Sequence, residues 1–209
     1  MSFCLFCEVA DGNAGSAPEN LIIAANEYAF AKPALGQFVD GYTLIVSHEH
    51  IRSFNEMSHE ELAHVEKLKE QISGALGNLY KQPVVVFEHG CGQGLDLRGG
   101  SCIDHAHLHV LPLSVSLERE LESRFRFTQV SKLADLAARG GTAGPYIYLE
   151  TGGGERFTFE LESPIPSQFM RRLICRTLNQ PDLWDWRTHP FRERIASFTA
   201  TFATIPAAF

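Results

Sequence analysis

No apolar run in the 209 residues approaches the roughly 18 that a membrane-crossing helix needs. The first residues also lack the basic stretch and apolar segment of a secretory leader. Cysteine is sparse and odd in number, five in all, which argues against a secreted disulfide framework and sets a reducing, cytoplasmic expectation. Positive charge is short: 18 Lys and Arg against 25 Asp and Glu leave a net −7. That balance excludes a sequence-independent nucleic-acid coat and gives no basis for stable nucleic-acid binding. No internal repeat is visible. What is present suffices for a core, with 44% hydrophobic and 11% aromatic residues. The charge is uneven: residues 1–113 carry 6 basic and 14 acidic side chains (−8), and residues 114–209 carry 12 and 11 (+1).

Alternating apolar residues and turn formers predict strands near 21–24, 27–31 and 42–47. Ser58 and Glu61 make a capping-box pattern, and Leu62, Val65, Leu68, Ile72, Leu76 and Leu79 recur at helical spacing, so a long helix is expected to cover one sheet face. Val84-Val85-Val86-Phe87 after Pro83 reads as a buried strand. A glycine-dense loop over 90–100 then leads into Asp104-His105-Ala106-His107-Leu108-His109-Val110-Leu111-Pro112. This order predicts an α+β meander. Beyond a boundary at 114, short helices are expected at 117–125 and 132–138, a hairpin at 145–150 and 156–161, a helix at 168–178 and a last helix from about Pro190. The tail, 114–209, is expected to dock on the first part.

Three alternating histidines on a strand place three imidazoles on one face, with Ala106, Leu108 and Val110 on the other. A solvent-facing ladder, a metal site and a catalytic row with a central nucleophile all fit that spacing. Cys4-x-x-Cys7 likewise reads as two buried thiols, a redox pair or half of a metal site.

His105-Ala-His107-Leu-His109-Val-Leu resembles the His-φ-His-φ-His-φ-φ signature of the histidine-triad (HIT) family of nucleotidyl hydrolases and transferases. Cys4-Leu-Phe-Cys7-Glu is similar to that family's opening, and Gly41-Tyr-Thr-Leu-Ile-Val-Ser-His-Glu-His50 to its second-strand motif. The resemblance covers about residues 3–113. It implies a HIT-like antiparallel sheet with a packed helix at 1–113 and a C-terminal α/β extension at 114–209.

For function, it implies hydrolysis of a nucleotide phosphoanhydride or phosphoramidate, of the dinucleoside-polyphosphate type, through a covalent nucleotidyl-histidine on His107. A nucleotidyl transferase, a nucleotide-sensing module with an idle triad and a zinc hydrolase are the alternatives. The last would use the triad as ligands, but the His-x-His-x-Asp-His run of metal-dependent hydrolases is lacking. His105 would accept the Nδ1 proton of His107 on its carbonyl. His109 would bond nearby or contact the phosphate, and Ser101 would face the non-bridging oxygens. No catalytic cofactor is required. Arg98, Gly99, Gly100 and Lys32 are the candidate phosphate or sugar contacts. Phe30, Phe6 and Ile22 are candidates for a base-facing wall or for core. The resemblance also implies a structural zinc on Cys4, Cys7, His50 and His105, and a homodimer for which no residue speaks.

Tyr42 and Ser47 stand where the family commonly has histidine and proline, and no acidic residue marks the ribose position. Because an anionic ligand inside a −8 segment needs cations, the tail is expected to fold over the triad and lend an arginine from among Arg171, Arg172, Arg176 and Arg187.

Overall fold

In the computed structural model, which describes residues 3–92, 100–101, 103–140 and 144–205, the elements follow one another as helices and strands around a single sheet. They are α1 (Leu5–Ala10), β1 (Ala24–Ala25), β2 (Ala29–Pro33), β3 (Thr43–Ser47), α2 (His59–Tyr80), β4 (Val84–Gly90) and β5 (His107–Pro112). After these come α3 (Glu118–Glu122), β6 (Phe127–Gln129), β7 (Tyr146–Glu150), β8 (Arg156–Glu160), α4 (Phe169–Thr177) and α5 (Arg192–Phe202). Short 3₁₀ turns occupy Pro18–Asn20, Phe54–Glu56 and Leu133–Arg139. The architecture is α+β, as expected. Among the described residues no helix is long and apolar enough to cross a membrane.

The sheet is antiparallel throughout, in the order β1-β2-β3-β5-β4-β7-β8-β6. The hairpin foreseen in the tail extends the first sheet, because β7 pairs with β4 in a register that sets Phe87 opposite Leu149. The period-2 alternation of β5 sorts its side chains cleanly. Ala106, just before the strand, and its Leu108 and Val110 join Ile45 and the α2 residues Leu62, Val65, Leu68, Ile72 and Leu76 on one face. Leu111, on the His107–His109 side, joins Phe87, Ile147, Leu149 and Phe159 beneath Phe6 of α1 and Met170, Leu173 and Ile174 of α4. Each fully buried Leu, Ile or Phe contributes about 1.5–3 kcal/mol, so both layers are needed.

Local rules explain α2. Ser58 Oγ accepts from Glu61 N–H (3.3 Å) and the Glu61 carboxylate accepts from Ser58 N–H (2.7 Å), closing the box read from the sequence. Lys69 of this helix is buried and pairs with Glu150 at the end of β7, tying the helix layer to a tail strand.

Glu88 on β4 is buried, accepting from Phe54 N–H (2.8 Å) and the Tyr146 hydroxyl (2.6 Å). Burial, only partly countered by these two donors, raises its pKa to about 7. A carboxyl whose folded pKa is raised binds its proton more tightly in the native state. Its stabilising contribution is therefore complete below the unfolded value and lost as pH rises through about 7. Urea unfolding is expected to show wild type weaker at pH 8 than at pH 5 by up to about 3 kcal/mol from this group. Glu88→Gln should flatten that slope; an unchanged slope in the variant would assign the pH dependence elsewhere.

Candidate active site

β5 carries two of the three histidines, and the third stands two residues ahead of its first residue. His107 Nδ1 donates to the backbone carbonyl of His105 (2.7 Å), which leaves the Nε2 lone pair unprotonated. The ring lines a cavity together with Lys32, Ser101, His89, His109 and Arg171. Burial pushes its pKa down to about 4, against the pull of the His105 carbonyl. His109 is stacked on Phe87 (4.3 Å between ring centres) and shares a 2.6 Å hydrogen bond between its Nδ1 and the Tyr42 hydroxyl. Tyr42 thus serves as the orienting partner at a position where the sequence raised doubt. Burial, then the neighbouring His107, holds the His109 pKa well below the ordinary value.

His105 faces away from this cavity. Its Nε2 donates to Ser47 carbonyl (2.8 Å), and its Nδ1 meets Cys4 Sγ at 3.4 Å and Cys7 Sγ at 3.7 Å. Cys7 Sγ also lies 3.2 Å from His50 Nδ1. One ligand atom from each of Cys4, Cys7, His50 and His105 falls within 4.8 Å of all the others. Two sulfurs and two imidazole nitrogens form a donor set that fits a tetrahedral metal ion, with the Ser47 carbonyl fixing the His105 tautomer from outside. The alternating row therefore divides: two rings face the cavity and one faces the thiols.

Among the other foreseen residues, Lys32 lines the cavity with its ammonium on the Pro33 carbonyl (3.1 Å) and 5.6 Å from the centre of the Phe6 ring. Burial lowers its pKa to about 8, partly offset by the Glu19 carboxylate. Ser101 lines the cavity, its hydroxyl donating to Ile103 carbonyl (2.7 Å). Gly100 also lines it, at φ +82°, where an added Cβ would press Ile165 and His89 at 3.0 and 3.1 Å. Phe6 lines it as well, against His107 (5.3 Å between centres). Phe30 instead sits in the core, packed on His48, and Ile22 is 38% exposed. Arg98 and Gly99 lie outside the described residues.

The tail reaches the cavity through Gln168, Arg171 and Trp186. Arg171 is buried and spends its guanidinium on the carbonyls of Trp184 (2.7 Å) and Gly36 (2.9 Å). Gly36, at φ +77°, admits this approach, since a Cβ there would meet Arg171 and Trp186 below 3 Å. Arg172 packs on Trp184, Arg176 pairs with Glu120 and Arg187 with Asp185, so these three serve the tail's own surface. Glu19 and Asn20, from the 3₁₀ turn, also line the cavity, and among the described residues no donor reaches the buried Glu19 Oε2. No local pattern marks these two; only the chain path brings them in.

No family model matches the chain. It is 24% identical over 197 residues to CWF19-like protein 1 of Pongo abelii, an alignment taking in 88% of this chain and 34% of that protein. The chain thus spans about a third of the length of the curated relatives it matches. Among solved structures, a HIT family protein of Bacillus subtilis is similar over 53% of this chain and 73% of its own, at 22% identity and TM-score 0.44. A Zn-bound histidine triad family protein of Mycobacterium smegmatis is similar over 52% and 73%, at 21% identity and TM-score 0.43.

Proposed function

We propose that this chain, which carries a HIT-like domain, is a nucleotidyl hydrolase acting on a phosphoanhydride or phosphoramidate of the dinucleoside-polyphosphate type. The observation that supports this reading most is the His107 ring, held by its Nδ1–H on the His105 carbonyl with Nε2 on the cavity side. In the proposed reaction Nε2 bonds to the α-phosphorus as the bond to the leaving group breaks, a leaving phosphate oxygen departing as the anion and a leaving nitrogen as the amine with a proton taken from solvent. Water then cleaves the nucleotidyl-histidine, returning Nε2 to its neutral state. The Lys32 ammonium and the Gly100–Ser101 backbone supply positive potential for the non-bridging oxygens. His109, fixed by Tyr42 and Phe87, lines the same chamber.

Diadenosine polyphosphates and adenosine phosphoramidates offered to the wild-type protein should give turnover and, on rapid quench, an adenylyl mass on the peptide containing His107. Turnover that depends on an acceptor other than water would make the protein a transferase. Binding with neither turnover nor adduct would make it a sensing module and end the hydrolase reading.

Cys4, Cys7, His50 and His105 would hold zinc, which when bound ties α1 to the start of the triad. Untagged protein purified without chelator is expected to contain about one zinc per chain. Cys7→Ser should lose the metal and lower the thermal midpoint by about 10 °C, as loss of a few kcal/mol does in a chain of this size. Metal-free protein with the wild-type midpoint would exclude the site.

A further inference from the structure

Gln168, the residue ahead of α4, sits at φ 60° and ψ 33°, a left-handed conformation that costs a non-glycine residue of order 1 kcal/mol. Two backbone bonds hold the turn there. Gln168 N–H donates to Gly100 carbonyl (2.7 Å), and Met170 N–H donates to His89 Nε2 (3.3 Å). The side chain is 2% exposed and lines the cavity of His107 and His109. Its Nε2 faces Asp185 Oδ1 at 3.4 Å, which sets the amide's orientation, and among the described residues no donor reaches the buried Oε1. A buried carbonyl oxygen of this kind is an unmet demand, and at a cavity wall a donor on the substrate can meet it.

We infer that Gln168 is a specificity-determining residue whose Oε1 accepts a hydrogen bond from an O–H or N–H on the leaving group of the substrate. The inference rests on the nucleotidyl-transfer reading above. The cavity has two different ends. Phe6 packs on His105 and His107, whereas His89 packs toward His109 and brings Gly100 and Gln168 with it. The end flanked by Phe6 and Leu5 suits a flat base, which assigns the His109 end to the departing half. A bare phosphate or pyrophosphate offers mainly acceptor oxygens, which would meet Oε1 lone pair to lone pair. An alcohol, sugar or amine brings the missing donor. The site therefore selects hydroxyl- or amine-bearing leaving groups over inorganic ones.

Two adenylyl substrates separate these classes: the ethanolamine amide of AMP, which carries N–H and O–H, and ADP, whose leaving group is phosphate. Gln168→Met, close in size but without the acceptor, should lower kcat/KM for the amide about tenfold and for ADP less than twofold. Gln168→Glu combined with Asp185→Asn, which restores an acceptor oxygen and keeps a hydrogen bond between positions 168 and 185, should recover the preference and sharpen it by repelling the terminal phosphate. A purely structural role would depress both substrates together, so equal losses, or no loss, overturn the inference. Should Gln168→Met fail to fold, the ratio of the double variant Gln168→Glu/Asp185→Asn decides alone: a ratio unchanged from wild type overturns it. A wild type that neither binds nor turns over either compound would instead sink the hydrolase reading, and this one with it.

Discussion

His107→Ala is expected to lower turnover by at least about a thousandfold, because on the proposed mechanism it removes the atom that bonds to phosphorus rather than one that assists it. The variant should keep its fold. Among the described residues the imidazole hydrogen-bonds to the carbonyl of a residue two positions away, and its ring contacts Phe6 and His109. Nucleotide binding should persist, since Lys32 and the backbone at Gly100 remain. Loss of the adenylyl adduct with retained binding is the signature to look for in quench-flow and intact-mass measurements. Equal activity in wild type and variant would remove the covalent route. His105→Ala is a poorer probe, because its ring also belongs to the thiol cluster.

Removing residues 115–209 is expected to abolish cooperative folding. The deletion strips β7 from β4, leaving the latter with an unpaired row of backbone groups. It also uncovers Phe87, Val85 and Leu111, which share a core with Ile147, Leu149, Phe159, Met170, Leu173 and Ile174. Six lost partners at about 1.5–3 kcal/mol each exceed the 5–15 kcal/mol by which a typical domain is stable, or come close to it. Circular dichroism and urea titration of the 1–114 fragment should show no sharp transition. A fragment that unfolds cooperatively and hydrolyses substrate at the wild-type rate would show the tail to be dispensable for both fold and site.

Where the chain's organisation was legible, the cause was local. The α2 capping box and its 3.6-residue apolar spacing are encoded within 22 residues, and the β7–β8 hairpin within 15. His107 and His109 were legible for the same reason, their two-residue period being the strand's own, whereas His105, ahead of β5, turns its ring to the thiols. What stayed hidden depends on distant pairing. Nothing in Tyr146–Glu150 announces that it will hydrogen-bond to Val86–Gly90, so the tail read as something docked rather than as part of the sheet. The six-residue α1 is too short for periodicity to show, and β6 has three residues, all exposed. At the site, Lys32 and Phe30 have the same parity on β2. One reaches the cavity and the other fills the core, because Phe30 lies a step further along, against His48. Glu19 and Gln168 carry no motif at all, and what draws attention to them is a buried oxygen without a donor among the described residues.

His105 joins two neighbourhoods with a single residue: its carbonyl holds the proton of His107 while its ring meets two thiols. If those sulfurs hold an ion, stripping it, or oxidising them, would slacken the grip on the His107 imidazole from behind. On the proposed mechanism, inhibition by a chelating agent would then look like the behaviour of a metalloenzyme although the ion serves only to hold His105. Inactivation that tracks unfolding or disorder of the amino-terminal helix, with no effect of metal identity on rate, would distinguish a brace from a Lewis acid.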